Sequence, residues 1–247
     1  MEKIKTAVIL AGGRGTRFSE YTKTVPKPMI EAKNKPLLIH IINIYKLQGI
    51  KNFFVLSGYK SDVIEEYFRN IFREVSENKF ELSENVFVNI LDTGIDTMTG
   101  GRVKRAINHF EDENFFLTYG DGVGNIDLGK LYEFHFQKET LATLTAVRPP
   151  ARFGSLDINS KNFVENFGEK NHAKEGWING GFFIVNRNIN NYIEGDSTLL
   201  EQGPLQQLSK ENQLKAYLHN DYWRPVDTIR ELEILETEMD DNKFKYY

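Results

Sequence analysis

Between Thr6 and Ala11 the chain runs through unbroken apolar residues, AVILA after the threonine, and then turns abruptly to glycine at Gly12 and Gly13. A strand with no polar alternation has no face for water, so it belongs in the middle of a sheet covered on both sides. Sheets of that kind are mainly parallel and need helices to carry the chain back between strands.

The rest of the sequence supplies that alternation. Pro36 to Gln48 has apolar residues at helical spacing (Leu37, Leu38, Ile41, Ile42, Ile44, Tyr45), with Gly49 placed to end the helix. Asn52 to Leu56 reads as a strand, and Ser61 to Phe68 as a helix with Ser61 as N-cap and Ile64, Tyr67 and Phe68 turned inward. Strand near Val86 to Leu91, helix near Arg102 to His109, strand at Phe115 to Tyr119, helix at Leu128 to Gln137 and strand at Leu141 to Val147 continue the pattern. Past Pro149 and Pro150 it becomes less regular, with strands expected near Phe163 to Phe167, Gly180 to Val185 and Leu214 to Leu218, and a last helix from Asp227 to Met239. The fold expected is α/β, a doubly wound and mainly parallel mixed sheet, in a single domain over residues 1–247 with a small mixed C-terminal extension.

Composition narrows the function. A net charge of -4 with both signs mixed along the chain offers no basic stripe for nucleic acid and no polybasic membrane patch. The absence of cysteine excludes a thiolate metal site and a cysteine nucleophile. No stretch approaches the roughly 18 apolar residues of a membrane helix, and Met1 to Thr6 leads straight into the first strand rather than a signal sequence. A soluble, cytoplasmic protein is expected, with no nucleic-acid or membrane partner. The five histidines have no metal-binding spacing, which leaves them core or surface roles.

The segment after the first strand, Ala11-Gly12-Gly13-Arg14-Gly15-Thr16-Arg17, gathers three glycines, a hydroxyl and two guanidinium groups. Glycines let backbone N–H groups face an anion without Cβ obstruction, and arginines add paired donors, so polyphosphate is the natural ligand. Two familiar phosphate loops fail on spacing, because Phe18 stands where a dinucleotide fingerprint needs glycine and Arg17-Phe18 stand where a Walker loop needs Gly-Lys. Ten residues on, Pro26-Lys27-Pro28 aims a lysine between two prolines that restrict its backbone. Asp121, between Gly120 and Gly122 at the end of a strand, should project from the carboxyl edge of the sheet, where open α/β sheets bind ligands. By itself Gly-Asp-Gly is more often a turn than a metal site, and an aspartate placed as Asp227 is, ahead of a helix, is usually its N-cap.

LAGGRGTR followed by VPKPM resembles the N-terminus of the sugar-1-phosphate nucleotidyltransferases. Within that family the segments DTGIDTMTGGRVKR, TYGDG, WINGGFF and YWRPVDT are most similar to the glucose-1-phosphate cytidylyltransferases, and the likeness covers nearly the whole chain. The resemblance implies a Rossmann-like, GT-A-like sheet and an Mg²⁺ ion held by Asp121 and Asp227. It further implies CTP and a sugar 1-phosphate as substrates and nucleotide contacts at Leu10, Ala11, Gly12, Gly13, Arg14, Gly15, Thr16, Arg17, Lys27, Gly120 and Asp121. Arg17 and Lys27 are the expected catalytic cations. Thr99, Gly101 and Arg102 would lie near the base, where Arg102 or a loop backbone group could read cytosine. Glu169, Lys170, Asn179 and Gly180 would meet the sugar. A homo-oligomer is expected. Two rivals remain, the same chemistry with another sugar phosphate or with dTTP, and a catalytically silent nucleotide-binding subunit.

Overall fold

Strand β1 (Thr6–Leu10) is buried along its whole length, and its side chains divide between two cores. Ala7 and Ile9 join one apolar cluster, Val8 and Leu10 the other, as the two-residue alternation of a strand requires. The computed structural model describes residues 4–18, 22, 24–149, 155–158, 160, 163–168 and 176–246.

After β1 come the two-residue strands β2 (Glu31–Ala32) and β3 (Lys35–Pro36), which pair with each other, and helix α1 (Leu37–Lys46). Next are β4 (Asn52–Ser57), α2 (Ser61–Ile71), the hairpin β5 (Arg73–Ser76) and β6 (Lys79–Ser83), and β7 (Val86–Asp92). The chain continues through α3 (Thr99–Ala106), β8 (Asn114–Tyr119), β9 (Gly122–Gly124), α4 (Leu128–Phe136) and β10 (Ala142–Val147). An antiparallel pair follows, β11 (Ser155–Ile158) and β12 (Val164–Gly168), and then β13 (Ile178–Asn179) and β14 (Phe183–Asn186). Helix α5 (Pro204–Lys210), β15 (Leu214–Leu218), β16 (Trp223–Pro225) and α6 (Ile229–Asp240) complete the order.

Among the described residues, the main sheet runs β13-β10-β14-β8-β1-β4-β7-β6-β5, with β15 also paired to β10. Its centre, β8-β1-β4-β7, is parallel throughout, and antiparallel pairs flank it on both sides. Helices α1, α2, α4 and α6 pack on one face of the sheet and α3 and α5 on the other, which is the doubly wound arrangement expected.

Five details depart from the sequence reading. Ser61 is the first helical residue rather than the N-cap; that place belongs to Lys60, in the left-handed region at φ 53°, and the Ser61 hydroxyl bonds instead to Ser57 and Glu65. Helix α3 starts at Thr99, before the expected Arg102, and includes two glycines. Gly100 and Gly101 lie so close to the backbone of Asp196 and Thr198 that any Cβ would collide, so tertiary packing overrides their poor helix propensity. The strand expected from Gly180 to Val185 begins only at Phe183, as β14; Gly181 and Phe182, both at positive φ, separate it from β13, and both strands pair with β10. The β5–β6 hairpin was not expected at all. The expected strand near Phe163 is found as β12, one residue later.

Candidate active site

The carboxyl ends of β1, β4 and β8 deliver three loops to one place. The Ala11 N–H donates to the Leu56 carbonyl at 3.0 Å and the Gly120 N–H to the Leu10 carbonyl at 2.9 Å, so the glycine loop is stitched to both neighbouring strands. Above them lies a cavity of about 490 Å³ lined by Leu10, Ala11, Gly12, Gly13, Arg14, Gly15, Thr16, Lys27, Thr99, Arg102, Gly120 and Asp121. These are the residues expected to meet the nucleotide, with two exceptions. Gly101 packs on Asp196 and does not line the cavity, and for Arg17 the description stops at its backbone in the short turn Thr16–Phe18, its side chain lying outside it.

Arg102 lines this cavity with three of its five N–H donors engaged. It is 4% exposed, and its guanidinium donates to the carbonyls of Ser57 at 2.7 Å and Gly12 at 3.0 Å and to the Thr93 hydroxyl at 2.5 Å. A Cβ on Gly12 or Gly58 would fall inside the guanidinium, so both glycines are there to let the cation pass between the β1 and β4 loops. Burial pushes its pKa down and the nearby Asp92 partly restores it, but arginine keeps its charge. Arg102, one of the groups that could read the base, thus also braces the glycine loop from beneath. Arg14, by contrast, is half exposed at the cavity mouth, paired with Asp96 at 3.0 Å. An exposed pair of this kind is worth at most about 1 kcal/mol, so the guanidinium is readily released to an anion.

Lys27, Asp121 and Asp227 meet at one point. The Lys27 ammonium donates to Asp121 Oδ2 at 2.8 Å and to Asp227 Oδ1 at 2.5 Å, and all three side chains are partly or largely buried. Lys27 is largely buried in a short turn opened by Pro26 and containing Pro28, so the root of its side chain is restricted as the flanking prolines suggest. Asp227 does not cap helix α6. Thr228 does, accepting from the Glu231 N–H at 3.2 Å, while the Asp227 carboxylate accepts from Lys27.

A second cavity of about 720 Å³ opens beyond the aspartates and shares Tyr119 and Asp121 with the first. Asn179 and Gly180, expected at the sugar, line it together with Thr118, Ile178, Trp223, Arg224, Thr228 and Arg230. Glu169 and Lys170, the other two expected there, lie outside the described residues. The sequence reading missed Tyr119, Trp223, Arg224 and Arg230, although three of the four stand within the TYGDG and YWRPVDT segments that carried the resemblance. Trp177 is 38% exposed, with Arg148 over its ring at 4.9 Å, so it is not core.

A glycine-lined groove, a lysine ammonium held between two carboxylates and an adjoining second pocket form one continuous site at the carboxyl edge of the sheet. The sequence profile of the nucleotidyl transferase family matches residues 6–241. The chain belongs to that family. This nucleotidyl transferase is 44% identical over 242 residues to glucose-1-phosphate cytidylyltransferase of Salmonella typhimurium, a match covering 93% of this chain and 94% of the relative. It is 38% identical over 239 residues to the probable glucose-1-phosphate cytidylyltransferase of Bacillus subtilis, covering 92% of each. A crystal structure of HddC from Yersinia pseudotuberculosis complexed with GMP-PN matches with a TM-score of 0.72 at 23% identity, covering 96% of this chain and 100% of that one. That last likeness speaks for the fold alone. Among the described residues, no helix is long and apolar enough to cross a membrane.

Proposed function

We infer that this chain transfers a cytidylyl group from CTP to α-D-glucose 1-phosphate, giving CDP-glucose and pyrophosphate. The observation that carries the chemistry is the Lys27 ammonium between the Asp121 and Asp227 carboxylates, at the junction of the two cavities. The choice of CTP and glucose 1-phosphate is supported by the two cytidylyltransferase relatives, matched over nearly their full length.

A phosphate monoester has its second pKa at about 6, so the attacking oxygen of the sugar phosphate is already ionised near neutrality and needs no side-chain base. It attacks the α-phosphorus in line, and pyrophosphate leaves on the opposite side. The protein's task is alignment and charge neutralisation. The glycine loop offers backbone N–H groups to the triphosphate, Arg14 exchanges Asp96 for a phosphate oxygen, and Lys27 can turn from its carboxylates to the phosphates on either side of the reacting centre.

The donor set suits Mg²⁺. Two convergent carboxylates already hold a cationic group between them, and all their donors are oxygen. Among the described residues no group of three or more acidic or histidine side chains forms a complete cage, and Mg²⁺ normally accepts one or two carboxylates with substrate phosphates and water filling the other positions. Asp121 and Asp227 would hold the ion, which when bound supplies positive charge to the phosphates of both substrates.

The test is pyrophosphate release with CTP, dTTP, UTP and ATP, each against glucose 1-phosphate, with and without Mg²⁺. CTP is expected to exceed the others, and Asp121→Asn to lower turnover by about 10²-fold or more with an unchanged thermal transition, the scale of a lost electrostatic stabiliser. A different triphosphate ahead of CTP by tenfold overturns the assignment of the base, and a fully active Asp121→Asn overturns the role of the aspartates.

A further inference from the structure

Behind Tyr119, which lines both cavities, stands a carboxylate that the mechanism does not use. Glu201, just ahead of α5, accepts a hydrogen bond from the Tyr119 hydroxyl at Oε1 and another from the Thr99 hydroxyl at Oε2, both at 2.8 Å. Tyr119 lines both cavities and Thr99 the nucleotide-side one.

The direction of every bond in this chain is forced. The Leu200 N–H donates to Thr99 Oγ1 at 2.9 Å, so the threonine's own hydrogen goes to Glu201. At the other end the Gly181 N–H donates to Asn179 Oδ1 at 2.9 Å, which turns the Asn179 amide nitrogen toward the Tyr119 oxygen at 3.2 Å. Having accepted there, the tyrosine donates to Glu201. A carboxylate, which only accepts, satisfies both neighbours at once; an amide in its place could accept at one atom only. Burial and the charge of Glu201 push the Tyr119 pKa up, so the phenol keeps the proton it donates.

We propose that Glu201 is a positioning residue for the sugar-phosphate pocket: acting through Tyr119, it fixes the Asn179 amide so that its second N–H is presented to a hydroxyl of the sugar. This rests on the reading of the larger cavity as the acceptor pocket. Asn179 touches the substrate; Tyr119 and Glu201 set its orientation, in series.

The experiment is a double-mutant cycle on Tyr119→Phe and Glu201→Gln, with pyrophosphate release followed while each substrate is varied in turn. Tyr119→Phe keeps the ring against Phe183. Each single change is expected to raise KM for glucose 1-phosphate about tenfold, the factor equivalent to about 1.4 kcal/mol. In Tyr119→Phe, KM for CTP and kcat stay within threefold. The double variant should be no worse than the worse single one, because both break the same series. In the wild type, removal of one particular sugar hydroxyl, tested with monodeoxy glucose 1-phosphates, should carry a penalty that disappears in Tyr119→Phe. A sugar KM within twofold of wild type in both singles overturns the proposal, as does a double variant whose effects multiply to about a hundredfold. Should Glu201→Gln lose its cooperative thermal transition, the Tyr119→Phe split between the two KM values and its deoxy-sugar profile decide alone. Wild-type activity separates this proposal from the reading beneath it. If another substrate pair is the productive one, the same cycle run on that pair decides; if no pair releases pyrophosphate, the acceptor pocket and the positioning role are both refuted.

Discussion

A guanidinium bonded to two carbonyls and a hydroxyl carries a full positive charge beneath the glycine loop, and no carboxylate is among its three hydrogen-bond partners. Arg102 therefore serves an anion site in two ways, by holding the Gly12 carbonyl and by adding to the potential felt by a triphosphate above it. Arg102→Met should leave buried acceptors short of a donor and cost about 1–3 kcal/mol of stability in denaturant unfolding. It should also raise KM for CTP about tenfold, one such charge-assisted contact's worth, with KM for the sugar phosphate little changed. An unchanged KM for CTP would reduce Arg102 to a structural brace. The resemblance implied that Arg102 lies near the base but could not show what its donors do, because Ser57, Thr93 and Gly12 come from loops far apart in the chain. Lys27 was legible for the opposite reason: its two prolines are adjacent to it, and local restriction is written locally.

At the scale of elements, the two aspartates converge because a small ribbon brings their segments together. β9 and β16 pair antiparallel, Gly122 opposite Pro225 and Val123 opposite Arg224, and the Val226 N–H donates to the Asp121 carbonyl at 2.8 Å. Neither GVG nor WRP alternates or carries β-branched bulk on both sides, so no strand signal marked them, whereas β1, β4 and β8 announced themselves through long apolar runs. The start of α6 then fixes the second aspartate. Thr228 accepts from the Glu231 N–H, and the Glu231 carboxylate accepts from the Asp227 N–H at 2.8 Å, a reciprocal cap one residue later than the sequence suggested. Thr228→Ala should cost about 1 kcal/mol in urea unfolding, the usual value of an N-cap. Because the cap also holds the Asp227 backbone, the concentration of Mg²⁺ giving half-maximal activity should rise in the same variant. A loss of stability with an unaltered Mg²⁺ requirement would separate the helix end from the site.

For the molecule as a whole, the parallel centre and its two covering layers follow from apolar runs joined by helical periodicity. The antiparallel insertion of β14 between β8 and β10, and the β5–β6 hairpin, depend on long-range pairing that periodicity does not encode. The same close packing on both faces encloses histidines that no site uses. His40, fully buried, donates from Nε2 to the Ala32 carbonyl at 2.9 Å. His135 Nδ1 lies 2.8 Å from the Thr143 hydroxyl, and His219 Nε2 lies 3.2 Å from the Tyr222 carbonyl. Burial pushes all three pKa values down, that of His135 to about 4. In the unfolded chain such groups titrate near the ordinary value of about 6.5. As pH falls below that value the unfolded chain takes up protons that the folded one refuses, so the contribution of these rings to stability is complete above about 6.5 and is lost toward the folded pKa. Unfolding free energy measured in urea should therefore decline from pH 6.5 to 4.5, and His135→Gln should make that decline smaller by about 1–2 kcal/mol, at roughly 1.4 kcal/mol for each unit of displacement. An equal decline in the variant and the wild type would mean that the ring is hydrated in solution and that the sheet does not seal this part of its core.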